Sequence, residues 1–316
     1  MVVGVRAQAE GTGVRTYSRL QDGRRRLSEY EIVSTDLHYN YPSRFELGGA
    51  NPVVHWYQRY REGSALSVRD WSPFSDPRRT TYRSYTTGQH AKEQVVGGLL
   101  DEIDESGYDD RLAEAWVEFL HLHYFPLRFP LHGLEMLAAY VGQMAPSSRL
   151  TNCAAFQAAD ELRRMQRIAY RAAQLCRHRF ATDPAEHRAT WEEAEHFQPL
   201  RELIERALVR YDWAEAFVLT NMVIKPRLDR WINDEFAAVL GPTNGDSILR
   251  SIHFSLGQDS QWHRDWAAEA IRVAIADEPN NHDVIRSWVN AWDPLAEAAV
   301  TSLRQAAADA PGVVAS

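Results

Sequence analysis

Lysine is almost missing from this chain: Lys92 and Lys225 are the only two, and every other basic side chain is arginine. Arginine is weakly hydrated and forks onto carboxylates, so the bias suits interfaces and tightly paired acids. Cysteine is nearly as scarce. Cys153 and Cys176 both fall in helix-period surroundings. On one helix they would stand about 35 Å apart, which forbids a bridge and leaves two thiols of a reducing compartment. No window of about eighteen consecutive apolar residues exists, which excludes a membrane-spanning helix. The opening MVVGVRAQAEGTG lacks the apolar core of a signal peptide, and a cytoplasmic protein is expected. Nucleotide-binding glycine loops and a Gly-x-Ser-x-Gly elbow are absent, so the sequence offers no carrier for those chemistries. Arg24-Arg25-Arg26 is too short a basic run to make a nucleic-acid face on a chain of net charge −8.

What the chain does contain changes character near residue 90. Residues 1–89 are punctuated by Asp22-Gly23, Tyr41-Pro42, Gly48-Gly49, Asn51-Pro52, Ser72-Pro73 and Asp76-Pro77. The same stretch carries Tyr17, Tyr30, Tyr39, Trp56, Tyr57, Trp71, Tyr82 and Tyr85, with Arg19 beside the first of them. It has too many rings for disorder and too many breakers for a core. An extended N-terminal arm laid over its own bundle or over another subunit accounts for both. Long structureless loops inside a compact domain are uncommon, which favours a partner, with these side chains at the subunit interface. One short helix is expected near 53–61. From residue 90 on, helical periodicity predicts segments over 90–106, 109–123, 126–144, 150–180, 200–211, 213–239, 246–276 and 282–308. Pro226 should kink the sixth of these, 182–199 should be a polar loop with a helical turn, and the Gly241-Pro242-Thr243-Asn244-Gly245 cluster a turn. The expected class is all-α: an arm (1–89), a helical bundle (90–308) and a flexible tail (309–316).

The stretch 151–171 organises the rest. Ala158, Leu162, Met165, Ala169 and Ala172 recur at spacings of four and three and predict its buried face. Within it, Asp160-Glu161-Leu162-Arg163-Arg164 has the form of the Glu-x-x-His pair that four-helix carboxylate di-metal proteins aim into the bundle core. Arg164 stands where the His would be, and a guanidinium has no lone pair for a metal. Farther along, Ser260 and His263 make the complementary defect: the His is kept and the Glu is lost. Burial of Arg164 would require an acid, with Glu161 and Glu215 the nearest candidates. Two literal Glu-x-x-His strings, Glu118/His121 and Glu193/His196, read as ordinary helical pairs and polar loop. His121-Leu122-His123 and Cys176-Arg177-His178 cannot chelate from one helix, because residues two apart point about 200° from each other.

In order along the chain stand Thr16-Tyr17-Ser18-Arg19-Leu20, 28–34 (SEYEIVS), Leu37-His38-Tyr39, Trp56-Tyr57, Phe74-Ser75-Asp76-Pro77 and Tyr82-Arg83-Ser84-Tyr85. Then follow Tyr124-Phe125-Pro126-Leu127-Arg128, Asn152-Cys153, 212–217 (DWAEAF) and Val223-Ile224-Lys225-Pro226. With these marks, spread over about residues 16–305, the sequence resembles the β (small) subunit of the hydroxylase in bacterial soluble di-iron monooxygenases, toluene, alkene and isoprene branch. The resemblance implies a ferritin-like (ribonucleotide-reductase-like) bundle that has lost its metal ligands, with Glu161, Arg164, Ala216, Ser260 and His263 at the degenerate positions. It implies no catalytic, cofactor or metal site in this chain and a di-iron centre in a catalytic α subunit. The implied assembly is α2β2γ2, served by an effector protein, a Rieske ferredoxin and an NADH-oxidising reductase. Its reaction is hydroxylation or epoxidation of small hydrocarbons. The alternative is a free-standing ferritin-like metal oxidase with an atypical ligand set.

Overall fold

The computed structural model describes residues 28–36, 52–178 and 184–312, and among them every regular element is helical. Tyr17, Arg19 and Tyr39 lie outside the described residues. Ser28 opens α1 (Glu29–Glu31) with a capping box closed by Glu31, and the helix continues as a wide turn, Ile32–Asp36. The short helix expected after Asn51-Pro52 is α2 (Pro52–Tyr57), with proline at its first position, extended by Gln58–Glu62. Thr81 and Ser84 form a second capping box, so α3 (Tyr82–Ser106) starts earlier than hydrophobic periodicity indicates. Gly107 stops it in the left-handed conformation, φ 62°.

The bundle continues with α4 (Glu114–His123), α5 (Arg128–Met144) and α6 (Ser148–His178). Both cysteines are on α6. A helix, α7 (Pro184–Glu193), occupies the polar stretch where a loop with one helical turn is expected, so more of it is helical than its composition indicates. Next come α8 (Gln198–Leu208) and α9, a helical run over 213–243 that alternates between α and π geometry. Pro226 does not end α9. The turn before it is π-helical, a register that absorbs a missing N–H and a displaced carbonyl. Gly241-Pro242 supplies one further helical turn rather than the break, which falls at Asn244-Gly245, where Gly245 has φ 81°. The last two helices are α10 (Ser247–Asp277) and α11 (Asn281–Ala307).

Two large apolar clusters, and a smaller one of Val96, Leu100 and Ile103 of α3 against Ile248, Ile252 and Leu256 of α10, hold the bundle. One large cluster gathers Trp116, Leu120, Leu134, Leu203, Ile224, Phe236 and Val300 from five helices, with Tyr124 from the turn after α4. Close approach of α5 to α8 requires Gly133, because a Cβ there would meet Ile204 Cγ2 at 2.4 Å. The other cluster takes Leu66, Trp71 and Phe74 from the arm and packs them with Trp213, Phe217, Trp262 and Trp266. Phe74 is fully buried, and Arg149 donates to its carbonyl at 2.8 Å. Asp76 accepts from Trp262 Nε1 at 2.8 Å, and its backbone N–H donates to the Tyr30 hydroxyl. Residues 63–81 are therefore laced to their own bundle. Tyr30 and Trp71, expected at a partner interface, are buried within this chain, whereas Trp56 and Tyr82 are exposed and Tyr57 and Tyr85 half-buried. Among the described residues no helix is long and apolar enough to cross a membrane.

Candidate functional site: a charged centre inside the bundle

The buried face of α6 follows its predicted apolar stripe only in part: Ala158 and Ala172 are buried and Ala169 is half-buried. Leu162 is 39% exposed and Met165 half-buried, while Asp160, Glu161, Arg163, Arg164 and Arg171 are buried. The period is helical, but around the middle of the helix the inward positions 160, 161 and 164 are charged, whereas Leu150, Cys153 and Ala154 on one side and Ile168, Ala172 and Leu175 on the other join the apolar core.

At the centre Glu161 and Arg164 of α6 meet Lys225 and Asp229 of α9. Lys225 Nζ donates to Glu161 Oε1 and lies 3.2 Å from Asp229 Oδ2. Arg164 Nη1 donates to Asp229 Oδ1 and stands 3.9 Å from Glu161 Oε2. Each carboxylate is thus shared between the same two cations, and the square carries no net charge. All four side chains are 2–3% exposed. Burial works against a charged Lys225, but Asp229 and Glu161 outweigh it and its pKa is raised. Burial likewise opposes the Asp229 carboxylate, yet Lys225 and Arg164 hold it well below the usual range.

α10 closes the site. His263 Nε2 is 2.9 Å from Asp160 Oδ2, and its Nδ1 is 3.8 Å from Glu161 Oε1 with no hydrogen-bond partner. Burial, helped by the Lys225 charge, pushes His263 down to about 3. Burial and the Asp259 charge push Asp160 up to about 8. Ser260 is buried one turn before His263. On the other flank Arg164 Nη2 donates to Asn233 Oδ1, which lies 2.8 Å from His253 Nδ1, and His253 Nε2 reaches the Tyr124 hydroxyl at 2.7 Å. Outward, Asp160 accepts from the Tyr85 hydroxyl (2.8 Å) and from Gln89 Nε2 (2.7 Å), and Gln89 also donates to Asp259 (3.0 Å), which pairs with Lys92 and Arg163.

The donors present do not suit a di-metal centre. Such a centre takes two Glu-x-x-His pairs and two further carboxylates. Here the carboxylates facing the centre are engaged by a protein ammonium and guanidinium. Among the described residues no group of three or more His, Cys, Asp or Glu could hold a metal ion.

Of the residues singled out in the sequence, Glu161, Arg164 and His263 converge. Ala216 is fully buried on α9, but Glu215 beside it accepts from Trp292 Nε1 at 3.0 Å and takes no part. Arg164 is paired with Asp229 and Glu161, which corrects the expectation for Glu215. Glu118 is exposed while His121 is buried against His187 at 2.7 Å, so that string does not act as a unit. Asp229, Asp160, Asn233 and His253 carry much of the centre and were not picked out beforehand. The i, i+4 spacing of Lys225 and Asp229 places them on one face, and a lysine in an arginine-using chain was a usable signal.

A family model described as methane/phenol/alkene hydroxylase matches residues 56–278. Over 290 residues the chain is 38% identical to the β subunit of the hydroxylase component of the toluene-4-monooxygenase system of Ectopseudomonas mendocina, covering 90% of this chain and 88% of that one. It is 22% identical to the small subunit of the hydroxylase component of propane 2-monooxygenase from Gordonia sp., over 92% and 80% of the two chains. A chain in the structure of toluene 4-monooxygenase with toluene bound in the resting active site superposes with a TM-score of 0.84 at 35% identity, covering 95% of this chain and 99% of that one.

Proposed function

The chain belongs to the methane/phenol/alkene hydroxylase family, with the ferritin-like all-α fold of its relatives, and from that premise we propose that it is the small, non-catalytic β subunit of a multicomponent monooxygenase. As such it takes part in an oxidoreductase without an active site of its own. A larger α subunit holds the di-iron centre, and the complex uses O2 and NADH-derived electrons to hydroxylate or epoxidise small hydrocarbons. One observation carries the reading. The carboxylates that would face a metal pair are neutralised in place by Lys225 and Arg164. A centre so filled can bind no substrate oxygen and can still support the bundle.

Its partners in this reading are the α subunit, a γ subunit, a second αβγ protomer, and an effector and Rieske ferredoxin in the cytoplasm. The arm, residues 1–89, supplies contacts to α, with Tyr17, Arg19, Tyr39, Trp56, Tyr57, Tyr82 and Tyr85 at the interface. An obligate contact of this kind buries on the order of 2,000–5,000 Å². The test is to co-express the chain with a larger hydroxylase subunit and a small third one, purify through a tag on this chain, and assay iron after dissociating the subunits. Stoichiometric co-purification with all iron on the larger subunit is expected. Bridged iron in this chain alone would refute the reading.

A further inference from the structure

We propose that the Lys225 ammonium occupies the place of a metal cation, and that this side chain keeps a still ligand-rich pocket closed to divalent metal. The inference rests on the reading of this chain as metal-free and names the group responsible. Three donors of metal-binding type converge on Lys225 Nζ or beside it. Glu161 Oε1 accepts its proton directly, Asp229 Oδ2 lies 3.2 Å away, and His263 Nδ1 lies 3.8 Å from Glu161 Oε1. The histidine is the telling member. A ligating imidazole is usually anchored by a carboxylate on its outer nitrogen, which leaves the inner one for the metal. His263 has that arrangement: Nε2 sits on Asp160 Oδ2, and the buried Nδ1 has no hydrogen-bond partner.

An ammonium is the natural protein substitute for a small cation. It is a compact point charge with three donors, whereas a guanidinium is planar and spreads its charge over a fork. Arg164 is committed elsewhere, to Asp229 Oδ1 and Asn233. Lys225 alone stands between Glu161 Oε1 and Asp229 Oδ2. Shortening it removes one positive charge and one occupant together. Two carboxylate oxygens and one imidazole nitrogen then border the vacated volume. As they stand around the ammonium they form no metal-holding group, and its loss lets donors of the type that takes Co2+ or Zn2+ close on the ion with water as a fourth ligand.

The experiment measures Co2+ uptake by the full-length chain, following the visible absorption of bound Co2+ and metal content after gel filtration. Lys225→Ala and Lys225→Gln are compared with wild type, the second keeping a neutral hydrogen-bond donor in case the first does not fold. Wild type should take up none. A folded Lys225 variant should bind about one Co2+ per chain and gain thermal stability on adding it. Adding His263→Ala to the variant should abolish uptake, and adding Asp160→Asn should weaken it by about 10–100-fold. A folded variant of either kind that excludes Co2+ as wild type does overturns the inference while leaving the metal-free reading intact. Uptake by wild type equal to the variants' overturns the metal-free reading itself.

Discussion

Glu161 is a carboxylate with two lives. Its position on α6 suits a metal ligand, and its actual partner is an ammonium 64 residues away in sequence. Removing one corner of such a buried square costs more than the square contributes, because the remaining charges are left unpaired. Asp229→Ala should therefore lower stability by about 3–5 kcal/mol in urea unfolding, whereas replacing all four residues by apolar ones of similar volume should cost much less. The histidines give a pH dependence. His253 and His263 are held at about 3 by burial, the first helped by Arg164 and the second by Lys225. An unfolded histidine takes up its proton near 6.5, so below that pH the unfolded chain binds more protons and stability falls until the folded values are reached. Each contributes a slope of at most about 1.4 kcal/mol per pH unit in that window. Asp160 works in the opposite sense. Its folded pKa of about 8 makes its contribution full at low pH and lost as pH rises towards 8. His123 and His187, pushed down to about 4 chiefly by burial, act in the same sense as His253 and His263. With four histidines against Asp160, the urea midpoint should peak near pH 6.5, fall on both sides and fall more steeply towards acid. A midpoint flat from pH 4 to 6.5 would show that these histidines charge freely in the folded state.

The element that departs most from its sequence signature is the arm. Its breakers are real, but residues 63–81 are fastened to the bundle by Ser64 Oγ on Asp212 (2.7 Å) and Asn281 Nδ2 on the Ser67 carbonyl (2.7 Å). Trp71 stacks edge-on to Trp213 at 5.9 Å. Trp71→Ala should accordingly cost about 3–5 kcal/mol, as for other buried large rings, and the denaturation midpoint reports it. A truncation that removes residues 1–81 takes Leu66, Trp71 and Phe74 out of the core and should lower helix content by circular dichroism. One that stops at residue 51 leaves that cluster in place and should keep the bundle's helicity. Alternation of α and π turns in α9 is the second element-scale feature. The wide turns flank Lys225–Asp229, the segment that delivers both charged side chains to the centre.

For the whole molecule, what matters is which rings remain available once the bundle has taken its share. Tyr82 is 75% exposed and Trp56 37%. In the proposed assembly Tyr82→Ala should weaken association with the larger subunit by at least about tenfold, the cost of a hot-spot ring, with the melting temperature of the free chain unchanged. Equal affinity by titration calorimetry would move the interface elsewhere on the surface. The sequence by itself determined the helical class, the breaker-rich character of the arm, and that an arginine and a serine, Arg164 and Ser260, stand where a ligating pair would need imidazole and carboxylate. Those follow from local rules: a 3.6-residue period, breakers, and which atoms have lone pairs to give. It could not reveal that the middle of the buried face of α6 is charged, because periodicity counts apolar residues and the inward residues there are Asp160, Glu161 and Arg164. Only the tertiary structure decided that Lys225 and Asp229 neutralise Glu161 and Arg164, and that Trp71 and Phe74 belong to the core. Both depend on which distant segments the fold brings within a few ångströms, and the free energy of a buried charge is set by those neighbours rather than by its own place in the chain.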